Sequence, residues 1–377
     1  MVRPRDHKLL KKIDIFGKSD FLWRTFSADQ IDLDFKNPSV LLRFIKIMIH
    51  LVSNGVTIFR LDAIAYLWKK NGTNCINLKQ THEIIKLLRN VIDLLNIQTK
   101  IITETNLPEK ENLSYFGKND EANWIYNFSL PPLLIHGLLF ENSSYLNKWS
   151  KKLPNAKFQN SYLNFIASHD GIGMRPTEGI LNKRSLNNFL KRLKKNGSKF
   201  SYRKIQNKSK KVYEANITVF DALKKSDTDP NGKFFLERYI AAHAIMISFE
   251  GVPAIYFNSL FGKSNDEAKY VITGNNRDIN RYKWSYENIT KKLNNKNSKQ
   301  SIFYQNLGKL LEIKRKQKAF HPNAKRLNIN LGSKIFCYER ISLDKKQTII
   351  CITNLSTKLQ YIKINKNLIK YRDLLGR

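Results

Sequence analysis

The chain has 377 residues, of which 42% are hydrophobic and 11% aromatic. That is enough apolar material for a large core plus a small second domain, and it excludes a disordered chain. The formal net charge of +35 would suit nucleic acid, but the lysines are dispersed along the chain and no nucleic-acid motif accompanies them, so a specific nucleic-acid partner is not expected.

From Phe21 onward the pattern alternates helix and strand. Pro38 opens a helix with Asn37 as its cap, running to about Ser53. Asn54-Gly55 ends it, and Val56 to Leu61 reads as a buried strand that delivers Asp62. Lys79 to Leu95 is a helix with Ile84, Leu87, Leu88, Val91, Ile92 and Leu95 on its apolar side. Ile101 to Thr103 is the next strand, and it delivers Glu104. The strand–helix–strand unit carries both acids to the same end of neighbouring parallel strands. Further strands are expected near Trp124 to Phe128, at Tyr162 to Ala167 (delivering Asp170) and at Val252 to Phe257, the last preceded by a helix over Phe234 to Phe249. The densest basic stretch, Lys183 to Lys211, reads as a solvated helix and loop.

After about Phe320 the texture changes to short strands without helices, at Lys325 to Ile329, Lys334 to Ile341, Thr348 to Thr353 and Gln360 to Ile364. The expected fold is thus α/β over residues 1–320 and a small antiparallel β domain over 321–377. Five strands of the first type can be counted where a closed (β/α)8 barrel needs eight, so the barrel is expected to be partial.

Cys75, Cys337 and Cys351 are few, odd in number and without ligand spacing, which suits a reducing cytoplasm. The histidines form no H-E-x-x-H pair, so no metal is expected. The N-terminus has no apolar signal core. The segment Val40 to Val52 is too short for a bilayer and is broken by Arg43, Lys46 and His50, so no membrane partner is expected.

Three acids, each after a short apolar run, are the equipment of glycosidic chemistry at the carboxyl end of a barrel. A retaining reaction needs an ionised nucleophile and a carboxyl that keeps its proton near neutrality. Arg60 lies two residues before Asp62, on the same side of a strand, and favours the charged form. Ile101, Ile102 and the Thr103/Thr105 pair give Glu104 a drier setting that raises its pKa.

Phe59-Arg60-Leu61-Asp62-Ala63, Thr103-Glu104-Thr105-Asn106 and Ala167-Ser168-His169-Asp170-Gly171-Ile172-Gly173 resemble the last three signature regions of the α-amylase superfamily, glycoside hydrolase family 13. The strings Trp23 to Leu33, Phe128 to Leu134, His169 to Gly173 and Asn276-Arg277-Asp278-Ile279-Asn280-Arg281 narrow the resemblance to the sucrose phosphorylase subgroup, which also holds glucosylglycerate and sucrose 6-phosphate phosphorylases. The resemblance implies retaining transfer of an α-glucosyl unit to inorganic phosphate, without a cofactor. A hydrolase or transglucosidase of the same superfamily, or an inactive remnant, is the alternative.

Carried over by position, the resemblance makes Asp62 the nucleophile, Glu104 the acid and base, and Asp170 the transition-state stabiliser. Arg60, His169 and Arg277 would bind the glucosyl unit, and Tyr66, Phe26 and Gln30 would line the site. Arg5 would meet phosphate, and Tyr213-Glu214 would lie on the mobile loop that meets phosphate and the acceptor. Asn106 and Glu214 depart from sucrose phosphorylase, which has histidine and glutamine there; an acceptor such as glycerate or a phosphorylated sugar fits them better than sucrose does. The largest departure is that the first three barrel strands and the first signature region have no counterpart ahead of Arg3. The chain is therefore expected to be a fragment: a split or decaying gene, a late start, or one half of an enzyme completed by a separate N-terminal polypeptide.

Overall fold

A computed structural model describes residues 8–95, 98–204, 210–363 and 371–376. Its strands, in chain order, are β1 (Leu10–Ile15), β2 (Lys18–Trp23), β3 (Ile58–Leu61), β4 (Lys100–Thr103), β5 (Trp124–Tyr126), β6 (Ser161–Asn164), β7 (Ile172–Gly173), β8 (Lys199–Lys204), β9 (Lys210–Asn216), β10 (Val252–Pro253), β11 (Lys325–Ile329), β12 (Ile335–Ile341) and β13 (Thr348–Asn354).

The central feature is a parallel sheet in the order β10-β6-β5-β4-β3. These are the expected strands, in one sheet; β3 and β4 end at Leu61 and Thr103 as expected, whereas β5, β6 and β10 stop earlier than their apolar runs. The apolar residues past the strand ends, such as Phe165 and Ile166, turn into the core beyond the ladder. The helix Pro38–Ser53 begins as expected, with the Asn37 side chain accepting from Ser39 N at 3.0 Å. The helices Lys79–Leu94 and Phe235–Ser248 fall within a residue of expectation. The core is continued by the helix Leu130–Leu139, every residue of which is buried. Its two prolines sit in the first turn, where a missing N–H costs no helical bond.

Among the described residues, β3 has one sheet neighbour and so has β10. Ile58 at the β3 edge is 45% exposed, and the helix before it leaves Leu42 and Ile49 exposed. The β3 edge thus presents apolar side chains of the kind proteins ordinarily cover.

Two regions differ from expectation. Residues 199–204 and 210–216 are strands: β8 and β9 pair antiparallel, and β9 also pairs with β7. Lys210 and Lys211 at the start of β9 are exposed, while Arg203 on β8 and Tyr213 to Asn216 on β9 are buried. In the C-terminal region, β11-β12-β13 form an antiparallel sheet, but residues 360–363 are not in a strand; Ile364 lies outside the described residues. Among the described residues no helix is long and apolar enough to cross a membrane.

Candidate active site

The carboxyl ends of the parallel strands open into a cleft of about 840 Å³, in the size range of small-molecule sites. Asp62 directly follows β3 and Glu104 directly follows β4, so the parallel pairing of the two strands brings them side by side. The Glu104 amide continues the ladder by donating to the Leu61 carbonyl at 3.0 Å. Asp170 lies in the turn between β6 and β7. All three acids line the cleft.

The turn after Asp62 is conformationally unusual. Ala63 has φ +47°, in the left-handed region that non-glycine residues seldom enter. The turn points the Ala63 amide at Glu104, to which it donates at 2.9 Å (Oε2). Despite that bond, burial pushes the Glu104 pKa up to about 7, aided by the nearby charges of Asp62 and Asp170 and opposed by the Ala63 amide and Arg60. Asp62 is held by Arg60, whose Nη1 lies 2.6 Å from Oδ1. Arg60 Nε in turn donates to the Tyr126 hydroxyl at 2.9 Å, and the guanidinium stands over the Tyr126 ring. One cation thus serves the end of β3 while being steered from the end of β5.

Asp170 is flanked by two arginines and a histidine. Arg277 Nη1 is 2.7 Å and Arg281 Nη2 is 3.3 Å from Oδ1, and His169 Nε2 is 3.6 Å away. Arg281 Nε also donates to the His169 carbonyl, and Asn280 Nδ2 to the carbonyls of Ser168 and Asp170. The string Asn276 to Arg281 therefore wraps the turn that carries Asp170. Arg277 is shared with Glu214, which accepts from Nη2 at 2.6 Å and from Nε at 3.2 Å. Tyr213 and Glu214 sit on β9 and are buried, so their placement in a loop is corrected: the Val212 to Ala215 segment is pinned between β7 and β8.

Phe26, Gln30 and Tyr66 line the cleft, with Phe26 edge-on to Tyr66 at 5.1 Å between ring centres. Gln30 Oε1 accepts from Ser27 Oγ at 3.0 Å. Arg5 lies outside the described residues. The structure thus brings together every other residue singled out in the sequence. It adds Tyr126, Phe128, Arg281 and Lys69, which sequence reasoning did not place in the site. Tyr126 was findable in principle, because it ends the strand between those that deliver Glu104 and Asp170. Lys69 carries no signal in a chain so rich in lysine.

Residues 17–175 match the α-amylase catalytic domain. The chain is 37% identical over 385 residues to the glucosylglycerate phosphorylase of Escherichia coli, a match covering all of this chain and 68% of that protein. It is 38% identical over 354 residues to the glucosylglycerate phosphorylase of Spirochaeta thermophila, covering 94% of this chain and 60% of that protein. The chain thus spans roughly two thirds of the length of these relatives. The crystal structure of sucrose 6F-phosphate phosphorylase from Thermoanaerobacter thermosaccharolyticum matches with a TM-score of 0.77 over 96% of this chain and 73% of that one, at 22% identity. That structural likeness carries the fold. The sequence likeness carries the family: the chain belongs to the α-amylase superfamily, among its glucoside phosphorylases.

Proposed function

We propose that the cleft transfers an α-glucosyl unit from a glucoside to inorganic phosphate with retention of configuration. The observation that carries this reading is the pairing of one acid beside an arginine with one buried acid whose pKa is raised to about 7, on adjacent strand ends of one cleft. In the first displacement Asp62 attacks the anomeric carbon while Glu104 gives its proton to the departing oxygen, leaving a β-glucosyl ester on Asp62. In the second, phosphate attacks the same carbon, Glu104 takes a proton from it, and α-glucose 1-phosphate leaves with Asp62 restored. Asp170 faces the sugar hydroxyls and the developing positive charge, with Arg277 and Arg281 setting its orientation.

The donor class is an α-glucoside whose aglycone is small and polar. The two relatives at 37% and 38% identity are glucosylglycerate phosphorylases, which makes glucosylglycerate the first substrate to offer. The test supplies glucosylglycerate, sucrose and sucrose 6-phosphate in turn, with and without phosphate, and measures glucose 1-phosphate. Release of glucose at the same rate without phosphate would replace phosphorolysis by hydrolysis.

The five parallel strands are, in the same proposal, the C-terminal part of a (β/α)8 barrel within residues 1–320, which also hold a remnant of the loop domain that follows the third barrel strand in the family, and residues 321–377 are a small β domain. The exposed Ile58 edge and the exposed apolar residues of the preceding helix support this reading, as does the greater length of the relatives. A separate N-terminal polypeptide carrying three βα units would complete the sheet, and the reducing cytoplasm is the compartment that suits three free cysteines. Co-expression with such a segment, followed by co-purification and assay, tests the arrangement. Full activity of the chain by itself as a monomer would overturn it.

A further inference from the structure

Residues 24–33 form one wall of the cleft without belonging to a helix or strand. A segment of that kind takes its shape from side-chain bonds, and here they converge on Asp32. Its carboxylate accepts from Thr25 N at 3.0 Å, from Thr25 Oγ1 at 2.5 Å and from Lys69 Nζ at 2.5 Å. Both ends of the ion pair are largely enclosed, at 17% and 14% side-chain exposure for Lys69 and Asp32. The Lys69 ammonium also donates to the Tyr66 carbonyl. It therefore bridges the wall to the turn that begins at Asp62, just where the Phe26 and Tyr66 rings meet edge to face.

We propose that Lys69 and Asp32 form a positioning clasp that fixes where Phe26 and Gln30 meet a bound sugar. The proposal rests on the reading of the cleft as a glucoside site. Without the ammonium, Asp32 keeps both Thr25 donors, so the wall keeps its local turn but loses its tie to the Asp62 turn. Contacts with parts of the substrate that do not react then weaken, while the reacting groups stay in place. Lost contact of that kind appears in KM rather than in kcat.

The experiment is hydrogen exchange by mass spectrometry on the full chain, joined to kinetics of the active preparation. Lys69→Met keeps the side-chain length and removes the charge; Asp32→Asn removes the charge from the other side and is the second route should the first variant fold poorly. Each is expected to speed exchange across 24–33 about tenfold, an opening change of about 1.4 kcal/mol, and to leave 325–341 unchanged. KM for the glucoside is expected to rise about tenfold with kcat held within about twofold. Lys69→Arg, which restores a donor cation, is expected to recover both readouts. Unchanged exchange across 24–33, or kcat falling with KM fixed, overturns the clasp. An unmutated protein with no glucosyl transfer at all would instead sink the glucoside reading and with it the clasp's role in binding, whereas the exchange result would still decide whether the two residues hold the wall.

Discussion

Two arginine–aspartate pairs border the cleft at almost the same separation, 2.6 Å for Arg60–Asp62 and 2.7 Å for Arg277–Asp170. Their surroundings differ. Asp62 ends the edge strand, and its side chain is 71% exposed. Asp170 is 22% exposed, shares a second arginine, and is backed through Arg277 by a Glu214 side chain only 3% exposed. Contact length therefore says little about what each pair does. An exposed pair contributes little to stability and is free to serve a reaction, whereas an enclosed one is costly to break because it strands a charge.

The largest expected effect breaks the chemistry at the exposed end. Asp62→Asn should lower phosphorolysis by about 10⁴-fold or more, since no covalent glucosyl ester can form. Loss of any trapped glucosyl-protein mass should accompany it. Folding of this variant should be near that of the parent, and a large drop in Tm would contradict the exposed setting of Asp62.

Glu104→Gln should cost roughly 10²- to 10⁴-fold, most for poor leaving groups, which depend most on protonation. The pH profile sharpens the point. The protonated form of Glu104 is present below about 7, so donor cleavage should fall as pH rises past that value, and this limb should vanish in the variant. Stability should fall in the same direction, over a lower window. Between the ordinary 4.5 and about 7, the folded chain holds a proton that the unfolded chain has lost, so stability declines as pH rises through that window. Glu104→Gln should therefore raise Tm relative to the parent above about pH 7, with the gap closing toward about pH 4.

The comparison itself is tested by removing each arginine. Arg277→Met leaves Glu214 buried without its bidentate partner and should cost about 3–5 kcal/mol in urea unfolding. Arg60→Met should cost under about 1 kcal/mol while still impairing transfer. Equal costs would mean that the two ends of the cleft are built alike.

A steric effect, smaller than that of Arg277→Met, lies between the acids. A Cβ on Gly173 would stand 2.5 Å from Asn106 Oδ1, so Gly173→Ala should cost about 1–3 kcal/mol. Asn106→Ala in the same chain should recover most of it, as thermal melts of the single and double variants would show.

The strands that carry the acids were legible because each is a short apolar run bounded by a turn, and because a parallel pair brings the residues after its ends together. The Asn37 cap and the amphipathic helices were legible for equally local reasons. The β8–β9 pair was not: its basic residues, such as the exposed Lys210 and Lys211, make the strands read as a charge run, and its third partner β7 is only two residues long. The closeness of Arg277 to both Asp170 and Glu214 was equally hidden, since it depends on contacts across more than one loop. Resemblance to a family pointed to Arg277, but the burial of Glu214 behind it comes from the fold.

The C-terminal sheet sends two arginines into the body of the molecule. Arg340 is fully buried and donates to the carbonyls of Ser248, His321 and Ala324; Arg326 donates to those of Ser150 and Leu153 and lies 3.3 Å from the buried carboxylate of Glu250. Glu250 in turn accepts from the Ala156 amide and lies between the helix Phe235–Ser248 and β10. A chain shortened at the change of texture near residue 320 would strip the carbonyls of Ser150, Leu153 and Ser248 and the Glu250 carboxylate of these arginines. The small sheet is thus a keystone rather than an appendage, and a nick between it and the rest should release no smaller stable piece.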